Sequence, residues 1–227
     1  MKADVAEIFS SIQGEGPYTG TRQIFVRFAG CNMACVWCDT PQGPSREYSV
    51  AALIAEIGAM ETVSGPHHSV SLTGGEPLLY IEFLESFLPL LKASGYSVYL
   101  ETNGTLPDAL RRIIDYVDIV AMDFKLPSST LERDCWKAHQ EFLRIARMKD
   151  IFVKAVVSDS TVEGDIEKSI SLIKAQGKRV PFVLQPVEGC EGRISRERLS
   201  HFLEMASAAG LADARIIPQT HKLLGVR

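Results

Sequence analysis

The segment QIFVRFAGCNMACVWCDT, residues 23–40, decides how the rest of this chain is read. Its first part, residues 23–29, is rich in β-branched and aromatic side chains and predicts a strand. Directly behind it come Cys31, Cys35 and Cys38, spaced C-x3-C-x2-C. A loop with this spacing can wrap three thiolates around one compact centre. Parallel α/β folds build sites in this way, because the carboxyl ends of their strands all point to one face.

Working outward, residues 49–61 predict a helix with Ser49 as its N-cap and Leu53, Ile54 and Ile57 as an apolar stripe. Further strands are predicted at 69–73, 96–101, 117–122, 151–157 and 180–185. Helical patterns lie at about 79–93, 106–115, 129–148, 163–176 and 195–209, and Gly177 is placed to end the fourth of these in a left-handed cap. This alternation predicts an α/β fold with a parallel sheet of about six core strands and right-handed crossovers. Periodicity alone leaves a partial barrel and an open doubly wound sheet both standing. No repeat or linker interrupts the chain, so residues 1–227 read as one domain. Polar and glycine-rich residues follow the strands: Gly74-Gly75-Glu76-Pro77, Thr102-Asn103-Gly104, Asp123 with Lys125, and Gln185-Pro186. They are expected to converge on the cysteines.

Composition narrows the class. The chain is 46% apolar, enough for a buried core without a disulfide framework. Lys and Arg total 24 against 28 acidic residues, a net charge of -4, which argues against nucleic acid as a partner. The N-terminus has no apolar stretch of signal-peptide type, and no run approaches the roughly 18 residues of a membrane span. A soluble, cytoplasmic protein is expected. Three of its five cysteines fall within eight residues, which suggests a reducing compartment and a metal.

Zinc wants four ligands, as does an ordinary electron-transfer cluster. Cys135 and Cys190 lie far off in sequence and read as ordinary small side chains. Three thiolates leave one iron of a cluster open to a cofactor. A zinc site completed by His67 or His68 is the competing reading. With the glycine motif at the end of the next strand, the cysteine motif resembles the radical S-adenosylmethionine superfamily. That resemblance implies a [4Fe–4S] cluster on Cys31, Cys35 and Cys38 whose open iron binds S-adenosylmethionine. One electron then breaks the sulfonium bond to give a 5′-deoxyadenosyl radical.

Residues 7–17 (EIFSSIQGEGP), Phe25-Val26-Arg27, Leu184-Gln185-Pro186 and residues 219–222 (QTHK) extend the match. Over nearly its whole length the chain resembles the 7-carboxy-7-deazaguanine synthase family. That family has a shortened, incomplete parallel β/α barrel and is generally homodimeric. The resemblance implies conversion of 6-carboxy-5,6,7,8-tetrahydropterin to 7-carboxy-7-deazaguanine for 7-deazapurines such as queuosine. Hydrogen-atom abstraction, ring contraction and ammonia loss are implied, with no protein side chain covalently involved. An external electron donor such as a flavodoxin or ferredoxin is implied as well.

By the same resemblance, Ile12, Gln13, Gly14, Arg27 and Thr73 contact substrate, with the Arg227 carboxylate closing that pocket. Trp37, Cys38, Asp39, Gly75, Asp123, Phe124 and Lys125 contact S-adenosylmethionine, as do Gln185, Pro186, Val187 and Glu188. Thr40 takes the magnesium position. Glu101 and Asn103 fall on the site face without an assigned role; His221 and Lys222 belong to the match, also without one. Two other functions stay open: an activase making a glycyl radical on a partner protein, and a non-catalytic zinc module.

Overall fold

A computed structural model of the chain describes residues 1–40, 43–187 and 193–226. Nine strands form one sheet: β1 (Lys2–Ile12), β2 (Arg22–Phe28), β3 (Arg46–Ser49), β4 (Ser69–Gly74), β5 (Val98–Thr102), β6 (Ile119–Phe124), β7 (Asp150–Val157), β8 (Phe182–Pro186) and β9 (Ala214–Ile216). Their order is β3-β1-β2-β4-β5-β6-β7-β8-β9. From β2 to β9 all pairings are parallel, while β1 runs antiparallel between β2 and β3. The sheet does not close: β3 and β9 are its edges.

The six strands expected from sequence are the six central ones. The remaining three were not legible. β1 is interrupted by polar residues and buries Ala3, Val5 and Phe9, and β3 and β9 are short edge strands without an apolar run.

Among the described residues seven helices lie between strands, α1 (Val50–Ser64), α2 (Ile81–Ala93), α3 (Pro107–Ile113), α4 (Pro127–Thr130), α5 (Trp136–Ala146), α6 (Glu163–Lys174) and α7 (Arg196–Ala208), and α8 (Thr220–Leu224) follows β9. Ser49 caps α1, its side chain accepting from the Ala52 amide at 3.3 Å. Gly177 is left-handed, as expected after α6. The helix expected over 129–148 is instead two. Leu131 adopts a left-handed conformation (φ 58°) and stops α4, and α5 begins at Trp136. The break places α4 against the cysteine loop. Val36 N donates to Thr130 O at 3.3 Å, Trp37 Nε1 to Ser129 Oγ at 3.1 Å, and Ala34 N to Glu132 Oε1 at 2.7 Å.

The two-residue period of the strands sorts their side chains. One set, including Val26, Phe28, Leu72, Leu100, Met122, Phe124, Val153 and Leu184, packs under the helices as the main core. The alternate set faces inward. At the amino-terminal end of the strands Tyr99, Ile119, Phe152 and Val183 form a second apolar cluster, with Tyr18 edge-on to Tyr99 at 5.7 Å. This cluster floors the interior. The inward positions nearer the strands' carboxyl ends turn polar, and there the site begins.

Candidate active site

Above that floor lies a cavity of about 500 Å³. Its walls are the inward set continued: Phe25 and Arg27 on β2, Thr73 on β4, Glu101 on β5, Asp123 on β6, Lys154 on β7 and Gln185 on β8. Cys31, Cys35 and Cys38 line the same cavity from the loop after β2. Cys31, Cys35, Cys38 and Cys135 are free thiols. Burial is the main influence on the Cys35 thiol and pushes it up to about 11; Lys125 opposes this, while Asp123 and the neighbouring thiols reinforce it. Among the described residues no three His, Cys, Asp or Glu side chains are drawn to a point where a single ion would sit. His67 and His68 are not among the residues lining the cavity. His67 is held instead by Glu61 (2.5 Å) and Ser10 (2.7 Å).

The loops that follow the strands are tied into one body. Asn103 is the knot: its Nδ2 donates to Asn32 Oδ1 at 2.8 Å and lies 3.9 Å from Cys31 Sγ, and its main-chain N–H donates to Glu76 Oε2 at 2.8 Å. Glu76 is fully buried and also accepts from Thr102 Oγ1 (2.9 Å) and Leu78 N (3.1 Å). Burial raises its carboxyl to about 7 against these donors. Gly75 packs so closely that a Cβ there would lie 1.9 Å from Gly30 O and 3.0 Å from Cys31 Cβ. Only glycine lets the two loops touch.

Behind the knot, His139 Nε2 donates to Asn103 O at 3.0 Å and its ring stacks on Phe124 at 5.0 Å. Burial lowers the His139 pKa from 6.5 to about 4. The folded value lies below the unfolded one, so the unfolded chain takes up the extra proton as pH falls from 6.5 to 4. Stability contributed by neutral His139 is thus lost through that window. In His139→Phe the cost of the substitution, read from urea midpoints, is expected to shrink by about 2 kcal/mol between pH 7.5 and pH 5. A cost independent of pH would refute neutral burial.

The substrate-side residues named from sequence come together on the opposite wall. Glu101 gathers two of them, accepting from Gln13 Nε2 (2.8 Å) and Thr73 Oγ1 (2.7 Å), and accepts from Ser71 Oγ (3.1 Å) as well. Arg27 Nε donates to Glu7 Oε2 at 3.2 Å, and its guanidinium lies 5.6 Å from the Phe9 ring, which stacks on Phe25 at 5.0 Å. Gly14 faces α8, where a Cβ would meet His221 Nδ1 at 2.0 Å, and its carbonyl accepts from Thr220 N at 2.9 Å. Lys222 donates to Asp39 at 2.5 Å, so α8 also ties to the cysteine loop.

Ile12, Trp37, Asp39, Thr40, Gly75, Pro186 and Val187 line the cavity too. Phe124 does not: its side chain belongs to the outward set and is fully buried against His139. Glu188, Cys190 and Arg227 lie outside the described residues. Glu15 and Lys154 were missed, though both line the cavity. The signal for Lys154 was present: it is the one charged residue within the otherwise apolar run of residues 151–157.

Residues 25–175 match the radical SAM superfamily. The chain is 38% identical to the 7-carboxy-7-deazaguanine synthase of Geobacter sulfurreducens, covering 98% of this chain and 97% of that protein. It is likewise 38% identical to the Methanothermobacter thermautotrophicus enzyme of that name, over 100% and 99% of the two. The chain belongs to the 7-carboxy-7-deazaguanine synthase family. The crystal structure of QueE from Escherichia coli shares the fold, with a TM-score of 0.68 at 24% identity over 97% of this chain and 95% of that one.

Membership makes this a radical S-adenosylmethionine enzyme of deazapurine biosynthesis with a [4Fe–4S] cluster, and it removes the zinc module. The residues fit both groups. Three free thiols on one loop share a wall with the cation of Lys125, whose Nζ lies 4.7 Å from the Trp37 ring. Two buried acceptors, Asp123 Oδ1 and Gln185 Oε1, have no partner among the described residues, as expected where a ligand brings the donors. No helix among the described residues is long and apolar enough to cross a membrane.

Proposed function

We propose that this enzyme converts 6-carboxy-5,6,7,8-tetrahydropterin to 7-carboxy-7-deazaguanine. One observation bears most of the weight: the three cysteines and the Gln13, Arg27 and Thr73 wall line one and the same cavity. The names of the relatives point to the same product. When bound, the cluster and S-adenosylmethionine supply a carbon-centred radical able to take a hydrogen atom from the substrate.

The chain's own residues do the rest by position. Cys31, Cys35 and Cys38 hold the cluster. Trp37, Asp39, Gly75, Asp123, Lys125 and the segment from Gln185 to Val187 surround S-adenosylmethionine, joined by the Phe124 main chain and by Glu188. Ile12, Gln13, Gly14 and Thr73 hold the pterin, whose planar ring suits the stacked Phe9 and Phe25 wall. Arg27 receives the substrate carboxylate through its planar donor fork. Thr40 offers Mg²⁺ one hydroxyl, so that ion would lean on substrate oxygens and water.

Because the nine strands form one sheet, one domain holds the whole site. Likeness to the family supports a cytoplasmic homodimer reduced by a flavodoxin or ferredoxin. A cavity of about 500 Å³ suits a small molecule better than the protein substrate of a glycyl-radical activase.

The test is anaerobic reconstitution with iron and sulfide, then incubation with S-adenosylmethionine, reductant, Mg²⁺ and the carboxytetrahydropterin, read by mass spectrometry. 7-Carboxy-7-deazaguanine is the expected product; 5′-deoxyadenosine without it would mean another substrate. Arg27→Ala is expected to raise KM for the pterin roughly 30- to 100-fold while leaving S-adenosylmethionine binding intact. An unchanged KM would remove Arg27 from the substrate site.

A further inference from the structure

Asp123 Oδ1 and Gln185 Oε1 are buried acceptors in side chains that line the cavity. Which atom of each side chain is left over depends on two residues given no role from sequence, Glu15 within the 7–17 segment and Lys154 on β7. Glu15 follows the Gln13-Gly14 segment, and Lys154 comes from the middle of β7. Lys154 Nζ donates to Glu15 Oε2 and lies 3.4 Å from Asp123 Oδ2. Lys125 Nζ donates to that same Oδ2 at 2.9 Å. Both cations thus engage one oxygen of Asp123, and Oδ1 is left for something else.

The other arm works through polarity. Glu15 Oε1 accepts from Gln185 Nε2 at 3.3 Å and from Gln219 Nε2 at 2.8 Å. Burial pushes the Glu15 carboxyl up, but the charge and hydrogen bond of Lys154, with Gln219, bring it below its ordinary value. An ionised carboxylate can only accept. Gln185 must therefore turn its NH₂ toward Glu15 and present its carbonyl oxygen elsewhere. Leaving two such acceptors buried and unpaired would cost about 1–3 kcal/mol each, so the arrangement calls for a ligand with donors.

We propose that the Glu15–Lys154 ion pair is a positioning device that aims the Asp123 and Gln185 acceptors at hydroxyl or amino donors of S-adenosylmethionine. The proposal rests on reading this cavity as the S-adenosylmethionine site. Neither residue of the pair needs to touch the cofactor. Lys154 sets which Asp123 oxygen is free, and Glu15 sets which end of the Gln185 amide is.

The test is anaerobic equilibrium dialysis of radiolabelled S-adenosylmethionine against the reconstituted wild type, Glu15→Gln, Gln185→Leu and the double variant. Glu15→Gln is nearly isosteric, but Lys154 holds its carbonyl oxygen, so its NH₂ faces Gln185. The Gln185 amide then reverses and offers the cavity a donor in place of an acceptor. Affinity is expected to fall roughly ten- to thirtyfold with iron and sulfide content unchanged. The double variant is expected to bind no worse than Gln185→Leu alone, since both changes remove one acceptor. Lys154→Arg should keep affinity within about threefold, whereas Lys154→Met should not. Wild-type affinity in Glu15→Gln, or losses that add in full across the double variant, would overturn the proposal. A wild type that carries its cluster yet binds no S-adenosylmethionine would overturn the functional reading itself, and this proposal with it.

Discussion

Cys35→Ala is expected to make no detectable 7-carboxy-7-deazaguanine and no 5′-deoxyadenosine, and to lose the iron and sulfide that the wild type takes up on reconstitution. The Cys35 thiol is half-buried, and burial pushes its pKa up to about 11. A thiol in that state is a poor nucleophile and a poor redox dithiol. Binding iron displaces the proton and replaces an unfavourable buried anion with a metal–thiolate bond. Cys35 faces the cavity from the same loop as Cys31 and Cys38, which suits a cluster ligand better than a reactive thiol. Among the described residues its three-thiol loop has no spare: Cys135 sits at the start of α5 and does not line the cavity. Cys135→Ala is accordingly expected to keep both cluster and activity. Turnover by Cys35→Ala would overturn the cluster assignment.

Gly75→Ala is the second large effect. A methyl group at this position would lie 1.9 Å from the Gly30 carbonyl oxygen, a backbone atom that cannot swing aside. That oxygen also accepts from Glu76 N at 3.0 Å, so moving it breaks a link between the glycine loop and the cysteine loop. The same displacement disturbs Glu76, whose carboxyl holds Leu78, Thr102 and Asn103 and through Asn103 reaches Asn32 beside Cys31. Stability is expected to drop by about 2–4 kcal/mol. Affinity for S-adenosylmethionine should fall more than tenfold even where the cluster is retained. Urea midpoints and dialysis on the reconstituted protein measure the two separately. Wild-type values for both would mean the loops can part without consequence.

Legibility followed from how local each signal was. The C-x3-C-x2-C spacing and the strand before it are contiguous, so the cluster loop and its place behind β2 could be read from residues 23–40 alone. The six central parallel strands were legible because strands covered by helices become continuous apolar runs. β1 was not, because it lies between β2 and the short edge strand β3, and polar residues break its run. The helix expected over 129–148 failed at Leu131, where contacts with the cysteine loop favour a left-handed residue that propensity alone disfavours. Phe124 was named for the site by resemblance, together with Asp123 and Lys125, and the strand period turns its side chain to the opposite face.

By itself the sequence determined the parallel α/β frame through periodicity and, through its resemblance to a family, the class of chemistry; Cys31, Cys35 and Cys38 stand as the proposed cluster ligands. Tertiary structure alone decided which inward side chains meet. Glu15, Lys154, Asp123, Gln185 and Gln219 come from five separate parts of the chain and become one network only when β1 and the β6–β8 strands share a sheet. Charges this far apart in sequence interact through distance and burial, and only the folded sheet sets either.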